Sequence, residues 1–117
     1  MTRKLFALLP LLLAAQAFAA NGPAQQATAQ PATHRFLIER TFPAGALDGL
    51  DAAGKKKINA TNAQYGVRWL LSYANAGKTR TFCIYEGPSE AAVRDAARAN
   101  KIPVDSVTEV PATLLPN

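Results

Sequence analysis

The chain has 117 residues and a single cysteine, Cys83, which excludes an internal disulfide. The domain must therefore be held together by core packing, which is demanding at this size and favours a dimer. The formal net charge is +5, but Arg3 and Lys4 contribute two of those positive charges at the N-terminus. The one basic cluster, Lys55–Lys57, cannot form a narrow stripe, because neighbours on a helix point about 100° apart. We expect a solvated helix surface there and no nucleic-acid partner.

The N-terminal segment has the organisation of a secretory signal. Arg3 and Lys4 are followed by an almost wholly apolar run, Leu5–Ala15, and then by the small-x-small pattern Ala17–Ala19. The run is shorter than the roughly 20 residues needed to span a bilayer. We expect residues 1–19 to be a cleavable signal peptide of a periplasmic or secreted protein, with no membrane attachment after cleavage.

Three further segments follow. Residues 20–34 have almost no large apolar side chain and predict a flexible leader, because such a sequence cannot bury enough surface to offset its ordering entropy. Residues 35–110 contain all the strong patterns and predict the folded domain. Residues 111–117 carry a proline near each end and predict a loosely ordered tail.

Six elements are predicted within the domain. In chain order they are a strand over 35–42, a helix over 47–65, strands over 67–74 and 79–86, a helix from Ser89 to just before Pro103, and a short strand over 106–110. The order β-α-β-β-α-β is the ferredoxin-like pattern. The predicted class is α+β, with two helices on one face of a four-stranded antiparallel sheet.

Side-chain alternation divides the strand residues into two faces. The set assigned to the helix side is Phe36, Ile38, Leu70, Phe82 and Ile84. The set assigned to the opposite face is Leu37, Glu39, Trp69, Leu71, Tyr73, Thr81, Cys83 and Tyr85. This more aromatic and polar set fits a homodimer interface. It also fits a pocket for a small ligand between sheet and partner subunit. The candidate ligand-binding or interface residues are Glu39, Trp69, Tyr73, Cys83 and Tyr85.

The sequence contains no recognisable catalytic motif. His34 is the only histidine, no His/Cys spacing resembles a zinc site, and a thiol nucleophile at Cys83 would need a base. We therefore predict no catalytic residue and favour a non-enzymatic binding module. The alternative is a cofactor-free isomerase or oxygenase whose pocket uses Tyr73, Cys83 and Tyr85. A purely structural partner of another envelope protein also stays open.

Short motifs spread over residues 35–110 resemble a known family. They are Phe36–Arg40, Trp69, Ser72-Tyr73, Lys78, Cys83, Tyr85, Pro88–Glu90, Val93-Arg94, Pro103, Val107 and Glu109-Val110. Together they resemble small ferredoxin-like domains of unknown function whose best-known relative is a nickel-binding protein. The resemblance implies a ferredoxin-like fold, a dimer and a divalent metal such as nickel as a candidate cofactor.

The sequence departs from this family at the metal-ligating positions. Relatives often carry one histidine just before the Ser-Tyr pair and another in the second helix, where this chain has Leu71 and Ala96. Neither side chain binds a metal. The remaining candidate ligands are Glu39, Cys83 and His34.

Overall fold

The computed structural model describes residues 32–117. Its elements are β1 (His34–Thr41), α1 (Ala52–Gln64), β2 (Arg68–Ala74), β3 (Arg80–Gly87), α2 (Glu90–Ala99) and β4 (Ser106–Glu109). The predicted signal peptide and nearly all of the predicted leader lie outside the described residues.

The four strands form one antiparallel sheet in the order β2-β3-β1-β4. Central strand β1 pairs with β3 along its whole length and with β4 along its middle four residues, 36–39. Strand β2 pairs with the other side of β3. The predicted ferredoxin-like α+β fold is confirmed.

Helix α2 begins and packs as the sequence indicates. The Ser89 side chain accepts a hydrogen bond from Ala92 N at 3.1 Å, which caps the helix. Val93, Ala96 and Ala97 are buried against the sheet. Gly87 makes this contact possible, because a Cβ there would lie 3.1 Å from Val67 Cγ2 and 3.4 Å from Val93 Cγ2. The end of β3 therefore needs its smallest residue on the helix side.

Helix α1 begins later than predicted. Residues 44–49 form successive turns, and the helix starts at Ala52, after the Asp51 carboxylate accepts a hydrogen bond from Gly54 N at 2.8 Å. Leu47 and Leu50, which the sequence placed within a helix over 47–65, therefore lie outside α1. Within α1 the only buried side chain is Asn62, so this helix covers the sheet loosely.

The helices are joined to each other by a polar contact. Asn100 Nδ2, at the end of α2, donates to Asn62 Oδ1 at 2.9 Å. The backbone oxygen of Asn62 accepts from Val67 N at 3.0 Å. One asparagine thus links α1, the end of α2 and the approach to β2.

The face prediction for β3 is wrong along the whole strand. In the register of β1 and β3, Phe36 lies opposite Tyr85 and Ile38 opposite Cys83. Cys83 and Tyr85 are consequently buried beneath the helices, as is Thr81. Phe82 and Ile84 occupy the opposite face, called the open face below. Phe82 and Ile84 are more hydrophobic than Cys83 and Tyr85, and the prediction therefore placed them on the helix side. Gly87 is buried on the helix side, so the residues at alternate positions before it, Tyr85, Cys83 and Thr81, lie on that side as well.

Strand β2 contains an irregularity that separates two predicted neighbours. Trp69 pairs with Tyr85, but the next pair is Leu71 with Ile84, so Leu70 is an extra residue in the ladder. Trp69 therefore lies on the helix side, contrary to the prediction. Leu71 and Tyr73 lie on the open face as predicted.

The buried core lies between the sheet and α2. Its apolar members are Phe36, Ile38, Val67, Cys83, Tyr85, Val93, Ala96 and Ala97. Residues 111–117 form neither helix nor strand, and their side chains are exposed. Within residues 32–117, none of the helices has the length and apolar character that crossing a bilayer requires.

Candidate ligand-binding site

A cavity of about 830 Å³ lies between the sheet, helix α1 and the turns that precede it. Its floor consists of helix-side residues of β1 and β3, and its walls come from β2, α1 and the 42–50 segment. The lining residues used below are Arg40, Leu50, Lys55, Ile58, Trp69, Leu70, Cys83, Tyr85 and Ile102. The cavity exists because the side chains that α1 turns toward the sheet are too few and too small to fill the space.

Arg40 is the most unusual residue of this lining. It is only 3% exposed although it carries a full positive charge. Its Nη1 donates to the backbone oxygen of Pro103 at 2.7 Å, and its Cζ lies 5.5 Å from the centre of the Tyr85 ring. In the part of the chain that the structure describes, no Asp or Glu forms a salt bridge with it.

Two aromatic rings form one wall of the cavity. Trp69 and Tyr85 stack with their centroids 6.4 Å apart and their planes 10° apart. Trp69 Nε1 donates to Ser72 Oγ at 2.8 Å. Burial raises the pKa of the Tyr85 phenol, and the nearby positive charge of Arg40 opposes this rise without cancelling it. Tyr85 therefore stays neutral at physiological pH.

Cys83 lies at the cavity floor but is not displayed as a nucleophile. It is 4% exposed, and its Sγ donates to Thr81 Oγ1 at 3.4 Å. Tyr73 lies on the opposite face of the sheet from Cys83 and Tyr85. The three residues of the enzyme alternative do not line one pocket.

The predicted site residues are divided between the two faces. Trp69, Cys83 and Tyr85 line the cavity, whereas Glu39 and Tyr73 do not. Glu39 accepts a hydrogen bond from Ser106 Oγ at 2.8 Å and forms a salt bridge with Arg80 at 3.7 Å. Tyr73 is 70% exposed.

Sequence reasoning missed Arg40, the only charged side chain among the buried residues of the described segment 32–117. A signal was present, because Arg40 follows Phe36 and Ile38 at the same alternating spacing. Residues 36, 38 and 40 of one strand share a face. A charged residue in an otherwise apolar series marks either a strand end or a buried charge.

The candidate metal ligands are not brought together. His34 Nδ1 lies 2.7 Å from Glu109 Oε1 at the far end of β1, five residues from Glu39. Glu39 lies on the open face and Cys83 on the helix side. Within residues 32–117, no cluster of three His, Cys, Asp or Glu side chains could hold a metal ion. The arrangement in one chain therefore does not fit a nickel site.

The open face carries a central apolar group with charged residues around it. The apolar group is Leu37, Leu71, Tyr73, Phe82 and Ile84. The surrounding charges are paired within the chain: Glu86 with Arg68 at 2.8 Å and with Arg35 at 3.4 Å, and Glu39 with Arg80. The guanidinium of Arg80 also lies 5.5 Å from the centre of the Phe82 ring.

Comparison with known proteins places this fold in a family. No curated protein matches the chain. The crystal structure of SCO4226 from Streptomyces coelicolor A3(2) is similar, with a TM-score of 0.59 and 21% sequence identity over 68% of this chain and 99% of that one. At this identity the likeness shows the fold. Residues 36–110 match the family described as nickel responsive protein SCO4226-like. The chain therefore belongs to the SCO4226-like family.

Proposed function

We propose that this chain is an exported, non-enzymatic binding module that dimerises through its open face and holds a small ligand in the cavity beneath α1. The observation that carries the proposal is the cavity itself. Its volume of about 830 Å³ lies within the range of small-molecule sites. Its lining combines apolar and aromatic side chains with a few polar groups, as such sites do.

The position of helix α1 keeps the cavity open, so that a ligand could enter it. Asp51 caps α1 at its start, and the contact between Asn62 and Asn100 holds its other end to α2. The contact between Asn62 and Asn100 therefore holds the C-terminal end of α1 to α2, above a sheet that the middle of α1 does not reach closely. Half-buried Ile58 is the largest apolar side chain that this middle part turns inward.

Fluorescence tests the cavity directly, because Trp69 is the only tryptophan of the chain. Titration of purified protein with naphthalene-sized probes, neutral and anionic, should quench or shift the Trp69 emission saturably. An Ala46→Phe variant narrows the cavity at an exposed lining position and should weaken the response. Ala60→Phe, on the exposed side of α1, is the matched control. No saturable response to any probe would overturn the proposal.

The dimer is supported by the character of the open face. It exposes contiguous apolar side chains, and exposed apolar patches of this kind mark interaction surfaces. Each of its three arginines contacts one of its two glutamates, so every charge of the face has an opposite charge beside it, and the net charge that each copy brings to the interface is only +1. Family resemblance also implies a dimer. A second copy of this chain is therefore the partner we propose for this face.

Sedimentation of the purified protein at micromolar concentration tests the dimer. Wild type should sediment as a dimer, and Ile84→Lys should be monomeric, because it would bury a lysine at the centre of the interface. Ala60→Lys, on the outer surface of α1, should remain a dimer. A monomeric wild type would contradict the proposal.

A further inference from the structure

We propose that the ligand of the cavity is a small amphipathic carboxylate whose anionic group pairs with Arg40. This inference rests on the proposed function, since it names the chemical class of the ligand in the same cavity. Three features of residues 32–117 carry it: a buried cation without a counter-charge, the electrostatics of the lining, and the apolar walls.

Arg40 is buried without a carboxylate partner. A buried charge is costly unless it is paired and hydrogen-bonded, and arginine cannot lose its proton to avoid that cost. The bond from Nη1 to the Pro103 carbonyl uses one of its five N–H donors. Arg40 is also one of the residues that line the cavity. An anion entering the cavity could therefore reach a cation that is already desolvated and held in place.

The rest of the lining strengthens the same preference. Arg40 and Lys55 are its charged residues, and none of its members is an Asp or Glu. Tyr85, which faces the guanidinium, is kept in its neutral form by burial. Nothing that the structure describes in this cavity supplies the negative charge. The site is therefore electrostatically suited to an anion, and unsuited to a cation or a metal ion.

The apolar walls indicate the remainder of the ligand. Leu50 and Ile58 lie on one side of the cavity, and Trp69 and Leu70 on another. An anion as small as phosphate would make no apolar contact with these side chains. A ligand that joins a carboxylate to an aromatic or aliphatic body would pair with Arg40 and would also contact the apolar walls. The planar guanidinium matches the two oxygens of a carboxylate in a bidentate arrangement.

The test compares 1-naphthoate with 1-naphthamide, two probes of nearly equal shape that differ in charge. Affinities are measured from Trp69 fluorescence and checked by calorimetry. Wild type should bind the carboxylate about tenfold to a hundredfold more tightly than the amide, as expected for hydrogen bonds to charged groups. Arg40→Met should abolish this difference while leaving amide binding intact. Arg98→Met, an exposed position on α2, removes the same charge and should keep the difference.

Folding of the variant does not limit the test. Removing a buried cation without a carboxylate partner should leave the ligand-free protein as stable as wild type or more so. Arg40→Lys provides a second variant, which should retain a charge preference but bind more weakly, because an ammonium lacks the bidentate fork. The wild-type comparison needs no variant at all.

The possible results separate the two proposals. A preference for the carboxylate that disappears in Arg40→Met supports both. Equal binding of carboxylate and amide overturns the anion inference and leaves the small-ligand function standing. A carboxylate preference that survives Arg40→Met also overturns it. Binding of neither probe overturns the proposed cavity function together with the inference.

Discussion

The indole of Trp69 stacks against the phenol of Tyr85, which lies directly opposite it on the neighbouring strand. Aromatic pairs of this kind contribute about 0.5–1.5 kcal/mol beyond their burial. Trp69→Leu should therefore lower the free energy of unfolding by about 1 kcal/mol or more, measured by urea denaturation. In the monomeric Ile84→Lys background, Tyr73→Leu removes a mostly exposed ring from the same strand and should change it by less than about 0.5 kcal/mol. Equal losses in the two variants would show that the stacked pair adds nothing.

Tyr85 should make the protein sensitive to alkali. Its folded-state pKa is raised above the ordinary value of 10.0, chiefly by burial. The unfolded chain therefore loses this proton first. Stability from the neutral phenol is complete below 10.0 and is lost as the pH rises through the folded-state pKa. Tyr85→Phe should show a smaller loss of stability above that pH than wild type. Superimposable curves for Tyr85→Phe and wild type would contradict the assignment.

Cys83 should react slowly with thiol reagents in the folded protein. It is buried, and its thiol is hydrogen-bonded to Thr81. A disulfide dye such as Ellman's reagent should modify it at least about tenfold more slowly in buffer than in urea, because only an accessible thiolate reacts readily. Rapid stoichiometric labelling of the native protein would instead indicate an accessible thiolate and would revive the enzyme alternative.

Nickel, zinc and copper should not bind stoichiometrically to one chain through the three candidate ligands. His34, Glu39 and Cys83 are separated by the length of β1 and by the thickness of the sheet. Native mass spectrometry with each metal should show the same protein mass as without it. Uptake of a fixed number of ions that Glu39→Gln and Cys83→Ser abolish would show that these residues are ligands in an assembled dimer.

Export should leave a defined N-terminus. Expression with a C-terminal tag in a Gram-negative host should give a periplasmic protein that begins at Ala20. Ala19→Leu should block cleavage, because signal peptidase requires a small residue there. Ala24→Leu, beyond the predicted cleavage site, should be processed normally. An unprocessed wild-type chain in the cytoplasm would contradict the export proposal.

The element order could be predicted from the sequence because the residues that begin and end its helices are easy to recognise. Ser89 and Pro103 bracket α2, and Gly66 ends the first helical segment with a positive φ of 69°. The start of α1 was harder to place. Asp48 and Asp51 are equally good capping residues in a sequence, and only the hydrogen bond from Gly54 N selects Asp51.

The faces of the sheet could be predicted only in part. In β1 the alternating set of Arg35, Leu37 and Glu39 contains two charges, whereas Phe36 and Ile38 are both apolar, so the prediction for this strand is correct. In β3 both alternating sets are apolar or aromatic, and a one-residue error exchanges them. The cavity was beyond prediction for a related reason. The cavity forms because α1 has few large side chains on the side that faces the sheet. A helix that faces only solvent has the same kind of sequence, so the two cases cannot be told apart in advance.

The extra residue in β2 has a consequence for any chain that aligns with this one. In a regular strand, residues two apart share one side of the sheet, so only the extra residue lets the indole of Trp69 lie beside Tyr85 while Leu71 faces outward. A relative shorter by one residue at this point would have these two residues adjacent and would keep both placements in a regular ladder, but it would lack the leucine that lines the cavity beside the indole. Gain or loss of a single residue here would thus alter the aliphatic part of the cavity wall and leave its aromatic part unchanged.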